Sequence, residues 1–367
     1  MRGAFVRDRF LPVVRDPAGA LELDGRGWND FLILARRSGL LARFGMQLSD
    51  CGLLERIPAK AREHIYAAFI EAESSQTAVR FECNRVLRAL PATNTSLILL
   101  KGAAYLLAGL PPSRGRHVGD VDLMVARDKI DELEKSLIAR GWAPSDLDEY
   151  DQRYYREWMH EIPPLQHPER ETPLDIHHTI APLTSRVGPD AEALLAASIP
   201  LSDPRLRILG PADMVLHSAV HLLNDEVGKP LRDLLDLHDL LCHFGSGAAF
   251  WTELVDRARL HRLGRPLFYT FRYAQRLLET PIPPDAIAAA AEWAPPPPLL
   301  PLMDWIFEQR FLPELPGKPR RGAALARFLH YIRTHWLKMP PLLLARHLTV
   351  KALRRARERW KREPEET

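Results

Sequence analysis

The spacing of apolar residues divides the chain into a helical beginning, a mixed centre and a helical end. Between residues 28 and 90 the apolar positions recur at helical spacing, as at Trp28 and Phe31 and again at Ile65 and Phe69. We therefore expect the N-terminal region to consist of amphipathic helices.

The pattern changes at residue 96, where short apolar runs replace the helical spacing. Four such runs predict strands: 96–100, 121–125, 160–165 and 172–180. The first run leads through Lys101-Gly102 into a helix-like segment, and the second precedes a charged amphipathic segment at 126–141 that predicts another helix. Strands that alternate with helices are typical of an α/β core.

Helical spacing returns from residue 189 to the end of the chain. Amphipathic segments begin near Pro211 and Pro230, prolines 295–298 form a rigid connector, and 340–362 predicts a basic amphipathic helix. The predicted fold class is α+β, with a small mixed β-sheet flanked by N-terminal and C-terminal helical regions. We divide the chain into four regions: 1–95 (helical), 96–188 (α/β core), 189–294 (helical) and 295–367 (helical, with a basic tail).

Composition narrows the class of protein. The 367 residues are 46% hydrophobic and 26% charged, which is the balance of a globular protein and excludes a disordered or fibrous chain. The three cysteines are scattered without a CxxC pair, and no apolar run reaches the length of a membrane span. The N-terminus has no signal-peptide pattern, so we expect a cytoplasmic protein.

The net charge of +3 conceals an uneven distribution. Between residues 318 and 362 there are 14 Lys or Arg residues and one acid, Glu358, so this segment carries +13 and the remainder −10. A basic end on a mildly acidic body predicts contact with an anion, which would be a nucleic acid, a membrane surface or an acidic partner.

Three aspartates carry the candidate chemistry. Asp120 and Asp122 are two residues apart beside a predicted strand, so their side chains point to the same face. Asp175 lies on another predicted strand, and three carboxylates would converge if the two strands are neighbours. Paired carboxylates repel each other unless a cation lies between them, and Mg²⁺ prefers such oxygen ligands together with substrate phosphates. The pattern is that of a metal site for phosphoryl or nucleotidyl transfer, although each acid could also be an ordinary solvated strand-edge residue.

The D-x-D spacing alone is weak support, because Asp146 and Asp148 repeat it. This second copy lies in the polar run SDLDEYD, which we interpret as a solvated loop or turn. The first copy differs because strand-forming residues surround it and a basic, Gly-containing segment precedes it.

The segments before the first acid pair supply positive charge. Lys101 and Gly102 follow a strand at a predicted helix start, where free backbone N–H groups and a small residue suit a phosphate. Arg114 and Arg116 lie shortly before Asp120 and are candidates to bind a triphosphate. The plain alternatives are an exposed turn lysine and a flexible basic loop. The chain contains neither a GxxxxGK[ST] nor a GxGxxG motif.

The chain contains the segments LLKGAA, GDVDLMV and LDIHH, in this order. With them it resembles the DNA polymerase beta-like nucleotidyltransferase superfamily, and more narrowly an uncharacterised bacterial nucleotidyltransferase family. The resemblance covers roughly residues 28–245 and implies a nucleotidyltransferase core at 96–188. It implies that Asp120 and Asp122 are paired metal ligands, and that Asp175 ligates the catalytic metal and aids deprotonation of the acceptor hydroxyl. The implied cofactor is Mg²⁺, as two ions, with Mn²⁺ as the alternative.

The chain departs from the superfamily after Gly102. A Gly or Ser usually follows, whereas Ala103 stands here, so the serine hydroxyl contact is missing and Lys101 would compensate. The family also has a His-containing helix and an Arg…Asp helix after the core, which are matched by His221, Arg232 and Asp236.

The histidines and the later charged pair have plain alternatives. His177 and His178 face opposite sides of their strand, so one would be packed and the other solvated unless His177 acts in catalysis. His217 and His221 have a zinc-like i, i+4 spacing without a third ligand, which favours a core role. Arg232 and Asp236 could be a helix-surface pair or part of a nucleotide pocket.

The sequence thus predicts an enzyme that transfers a nucleoside monophosphate from an NTP to a hydroxyl acceptor of unknown identity. The alternative is a non-catalytic nucleotide-binding or scaffold protein of the same fold. A third possibility is a protein tethered to nucleic acid or another anionic surface by its basic C-terminal helix.

Overall fold

A computed structural model describes residues 6–90, 95–224, 228–346 and 349. The chain begins with four helices: α1 Leu11–Arg15, α2 Gly25–Arg37, α3 Leu41–Asp50 and α4 Ala59–Ala89. Helix α2 begins where the Asp24 carboxylate accepts a hydrogen bond from the Gly27 amide, and it buries the Trp28 and Phe31 side chains. The helical spacing predicted for residues 28–90 is therefore observed.

Among the described residues, seven strands form one mixed sheet. They are β1 Leu97–Leu99, β2 Val121–Met124, β3 Ala143–Pro144, β4 Leu165–Gln166, β5 Leu174–His177, β6 Ile199–Pro200 and β7 Leu206–Ile208. The spatial order is β3-β4-β5-β2-β1-β7-β6. The pairs β2–β5 and β1–β7 are parallel, and the other neighbours are antiparallel.

Helices connect the strands and follow them. Between strands lie α5 Lys101–Leu107, α6 Ile130–Ile138, α7 Glu149–Trp158 and α8 Ala191–Ala196. After the sheet come α9 Pro211–Asn224, α10 Pro230–Phe244, α11 Ala248–Leu260, α12 Gly264–Leu278, α13 Pro284–Ala290, α14 Leu300–Phe311 and α15 Ala323–Lys338. The α+β class with helical flanks is confirmed.

The central strands lie in the hydrophobic core. Every residue of β1 and β2 is buried, including Asp122, because these strands have sheet neighbours on both edges and helices against their faces. A polar residue in such a strand needs partners, since a buried charge is costly without them.

Three local predictions need correction. Only Leu165 of the run 160–165 lies in a regular strand, because Pro163 and Pro164 have no N–H to donate to a ladder. The polar run expected to be a loop ends in helix α7, where the Asp148 carboxylate accepts a hydrogen bond from the Asp151 amide. The strands β6 and β7 lie beyond residue 188 and were not predicted.

The C-terminal basic helix predicted at 340–362 falls mostly outside the described residues. Within the part of the chain that the structure covers, no helix combines the length and apolar character needed to cross a membrane.

Candidate active site

Two neighbouring parallel strands bring the candidate carboxylates together. Asp122 of β2 stands directly opposite Asp175 of β5 in the strand register, so both side chains project from the same face. Asp120 lies two residues before Asp122, just ahead of the strand. One carboxylate oxygen from each of the three lies within 4.8 Å of the others. Such a cluster of oxygens fits a hard divalent cation.

Two side chains donate hydrogen bonds to the Asp122 carboxylate. Its Oδ1 atom accepts a hydrogen bond from Lys101 Nζ at 3.1 Å and another from His177 Nε2 at 3.0 Å. Burial alone would raise the pKa of Asp122, but the Lys101 charge and the His177 hydrogen bond outweigh it and hold the pKa well below its ordinary range. These two contacts therefore favour the ionised form of Asp122 and fix its Oδ1 atom.

Lys101 reaches Asp122 from the junction between β1 and α5. Its backbone has φ 44°, a left-handed conformation that costs an L-residue about 1–2 kcal/mol and is common at functional sites. Although burial lowers the pKa of Lys101, the charges of Asp122 and Asp120 raise it above its ordinary value overall. The junction thus places a stable ammonium group beside the acid pair.

Asp175 is less well satisfied than Asp122. Its Oδ1 atom is buried without a hydrogen-bond partner. Burial and then the Asp122 charge raise the pKa of Asp175 to about 7. Desolvation and the Asp122 charge also raise the pKa of Asp120. A cation at this position would relieve the repulsion and satisfy the orphaned oxygen, so the three acids fit a metal ion.

The two arginines predicted to bind a triphosphate have different environments. Arg116 is buried, forms an ion pair with Asp236 of α10, and lies with its guanidinium 5.6 Å from the centre of the Tyr105 ring. Arg114 points to the surface, where its Nη1 lies 2.9 Å from Asp50 Oδ2 of α3 and both side chains are at least half exposed. The structure therefore places Arg116 in the interior and Arg114 in a surface ion pair.

Gly102 allows the start of α5 to approach the loop that carries Arg116. A Cβ atom at residue 102 would lie 2.8 Å from Val118 Cγ1 and 3.3 Å from Arg116 Nε. The backbone at Gly102 therefore comes close to the Val118 side chain and to the Arg116 guanidinium.

The later helices contribute buried charges next to this loop. Arg232 and Asp236 of α10 are not a helix-surface pair, since Arg232 Nη2 lies 2.8 Å from Asp233 Oδ1 while Asp236 binds Arg116. His221 of α9 contributes to the electrostatic environment of Asp122. The i, i+4 partner of His221, His217, is buried, and burial followed by the Lys101 charge lowers its pKa well below its ordinary value. In the described residues neither histidine belongs to a cluster with metal-ligand spacing.

Sequence reasoning missed a second cluster beside the first. Ligand atoms of His160, Glu161 and His177 also lie within 4.8 Å of one another, and the His160 and His177 rings are 5.1 Å apart. An isolated bridge between Glu161 and His177 brings them together. No periodicity marks residues 160 and 161, so only their pairing with β5 could have identified them. His178 directly follows β5 and is buried as well, so the expectation that one histidine of this pair would be solvated is wrong.

Comparison with known proteins identifies a family to which the chain is similar. A family model described as "Uncharacterised nucleotidyltransferase" matches residues 24–279. The matched segment spans more than two thirds of the chain and includes all of the site residues named above. No curated protein and no solved structure gave a significant match.

Proposed function

The chain belongs to the uncharacterised nucleotidyltransferase family, and from this premise we propose that it transfers a nucleoside monophosphate from an NTP to a hydroxyl acceptor, with release of pyrophosphate. In this reaction the acceptor oxygen forms a bond to the α-phosphorus and the bond from that phosphorus to the bridging oxygen breaks. Catalysis of this kind depends mainly on positioning and on neutralisation of charge.

The observation that carries the proposal is the convergence of Asp120, Asp122 and Asp175 on one face of the sheet. We assign these three residues to the binding of Mg²⁺, as two ions, with Mn²⁺ as an alternative. Such ions supply charge neutralisation for the triphosphate and lower the pKa of the acceptor hydroxyl.

The chain's own residues support this role in distinct ways. Lys101 and His177 both donate to Oδ1 of Asp122, which fixes the carboxylate and directs its other oxygen to a ligand. Asp175, whose Oδ1 is buried without a hydrogen-bond partner, would hold the ion that lowers the pKa of the acceptor hydroxyl, and in this way it would aid deprotonation of the acceptor.

We assign the triphosphate to the basic side of the site. Lys101 lies beside the acids, and Gly102 and Arg116 are in close contact with each other. Arg114 would join them by leaving Asp50, which is feasible because both side chains of this ion pair are at least half exposed and water screens their attraction. His221, Arg232 and Asp236 would line the nucleotide pocket. We also propose a cytosolic location, where the three free cysteines remain reduced.

Two observations favour the non-catalytic alternative. The buried Arg116 is already neutralised by Asp236, and Ala103 supplies no hydroxyl to a phosphate. A protein with this site could bind a nucleotide without turning it over.

The test is Mg²⁺-dependent pyrophosphate release from each NTP by the full chain, over a panel of hydroxyl acceptors. Asp120→Asn removes one charge of the acid cluster and should lower turnover at least about 100-fold. Asp146→Asn neutralises an exposed acid of the other D-x-D copy and should behave like the parent. Turnover by Asp120→Asn at the parent rate would refute the assignment. Calorimetric binding of Mg·NTP without pyrophosphate release, for every acceptor, would favour the alternative.

A further inference from the structure

Helix α15 has two apolar faces, only one of which is covered. Its buried positions are Ala323, Ala326, His330 and Thr334, on the face that packs against α14. The His330 ring, for example, meets the Phe307 ring with 5.8 Å between the ring centres. This contact accounts for one apolar face of the helix.

The opposite face consists of large exposed side chains. Leu325, Phe328, Ile332 and Trp336 are 55%, 58%, 46% and 48% exposed. Their spacing of three, four and four residues aligns them as one stripe along the helix. We call these four residues the α15 stripe. Leu342, shortly after the helix, is 87% exposed. Contiguous exposed apolar surface of this kind marks an interaction site.

The stripe is fixed in its outward orientation. Thr184 Oγ1 donates to the Lys338 carbonyl at 2.7 Å, and the Arg186 amide donates to the Leu337 carbonyl at 2.9 Å. The Arg186 guanidinium also lies 4.3 Å from the centre of the Trp336 ring. These contacts hold the C-terminal end of α15, so the stripe cannot turn inward without breaking them.

The positive charge of residues 318–362 indicates which kind of partner the α15 stripe binds. The stripe lies within residues 318–362, which carry 14 Lys or Arg residues against one acid. Two copies of this chain that met through α15 would bring like charges together, and so would packing of the basic tail on the stripe. A nucleic acid would neutralise the charge but leave Leu325 and Ile332 exposed to water. An anionic lipid surface satisfies both features, because headgroups attract the cations and the interface takes up apolar side chains.

We propose that the α15 stripe docks the protein on an anionic phospholipid membrane, with exposed basic residues of 318–362, such as Lys318 and Arg321, bound to the headgroups. The helix lies along the surface and does not span it. This inference is independent of the proposed nucleotidyl transfer.

The experiment measures co-sedimentation of the 367-residue chain with vesicles of phosphatidylcholine alone or with about 30% phosphatidylglycerol. Phe328→Ser with Ile332→Ser should lower the partition coefficient at least about tenfold, since two large apolar side chains no longer enter the interface. The matched control is Ile70→Ser with Phe81→Ser on α4, whose parent side chains are 69% and 53% exposed. The control should bind like the parent, and binding should weaken on neutral vesicles and at high salt.

Three outcomes would overturn the proposal. The first is the absence of sedimentation with anionic vesicles at low salt. The second is equal binding by the stripe variant, which would leave the basic tail as the sole determinant. The third is a parent that is dimeric without lipid and a stripe variant that is monomeric, which would make the stripe an interface between copies.

Discussion

Asp175 titrates near neutral pH, because burial and the Asp122 charge raise the pKa of its carboxyl to about 7. In the unfolded chain an aspartate has a pKa of about 3.9. Between these two values the folded state binds more protons than the unfolded state, so the stability of the metal-free protein falls as the pH rises from about 4 to 7.

We therefore expect the free energy of unfolding of the metal-free parent to fall, from pH 5 to pH 8, by about 2 kcal/mol more than that of Asp175→Asn. Urea titrations followed by circular dichroism would measure both. Mg²⁺ at pH 8 should restore part of the loss in the parent and little in the variant. Parallel pH curves for the two proteins would show that Asp175 does not hold a perturbed proton.

At the scale of single residues, the sequence indicated the three aspartates as candidates but gave no indication of the residues that contact them. The strand-like surroundings of Asp120, Asp122 and Asp175 were visible in the chain, because alternation and apolar flanks are local properties. The ion pair of Arg116 with Asp236 joins positions 120 residues apart and depends on how a helix crosses a loop. No local pattern contains that information.

At the scale of elements, the start of α5 and the loop 114–119 form one unit through Gly102. The space that a Cβ would need is taken by Val118 Cγ1 at 2.8 Å. Because Val118 is buried, it cannot move aside freely.

Gly102→Ala should therefore lower the free energy of unfolding by about 1–3 kcal/mol, and it should weaken nucleotide binding because the loop moves away from α5. Gly119→Ala lies on the same loop with nothing within 4 Å of the added atom, so its stability should stay within about 1 kcal/mol of the parent. Thermal or urea unfolding of both variants gives the comparison. Equal stability of the two would mean that the loop is free to adjust.

Some of the helices and strands could be predicted from the sequence and others could not. Long amphipathic helices such as α4 and the strands β1, β2 and β5 carry clear patterns. Strand β6 has only two residues, and β7 has Arg207 between its two apolar residues, so neither lies in a continuous apolar run such as LILL at β1. They form strands because β7 pairs with a free edge of β1. That pairing depends on the position of the rest of the sheet.

At the scale of the whole molecule, residues from distant parts of the chain build the sheet and hold the site. Strand β7 lies beyond residue 188 and pairs with the central strand β1. Helix α10 binds Arg43 of α3 through Asp239, with Nη2 to Oδ1 at 2.7 Å, and Arg116 through Asp236. The core is thus completed by the second half of the chain.

We predict that a chain truncated after residue 188 does not unfold cooperatively, because it lacks β7 and leaves one edge of β1 uncovered. A chain truncated after residue 346 keeps the strands β1–β7 and the helices α1–α15 and should melt within about 4 °C of the parent. Thermal denaturation followed by circular dichroism would compare them. A sharp transition in the shorter chain would show that 96–188 folds without the later strands.

The pairing of Leu97 with Leu206 has a consequence for biosynthesis. A ribosome adds about 5–20 residues per second, so β1 emerges roughly 5–20 s before the strand that covers one of its edges. During that interval the apolar segment LILL is open to neighbouring nascent chains on the same polysome. Spacing the ribosomes further apart, by slower initiation of translation, should therefore raise the yield of correctly folded protein.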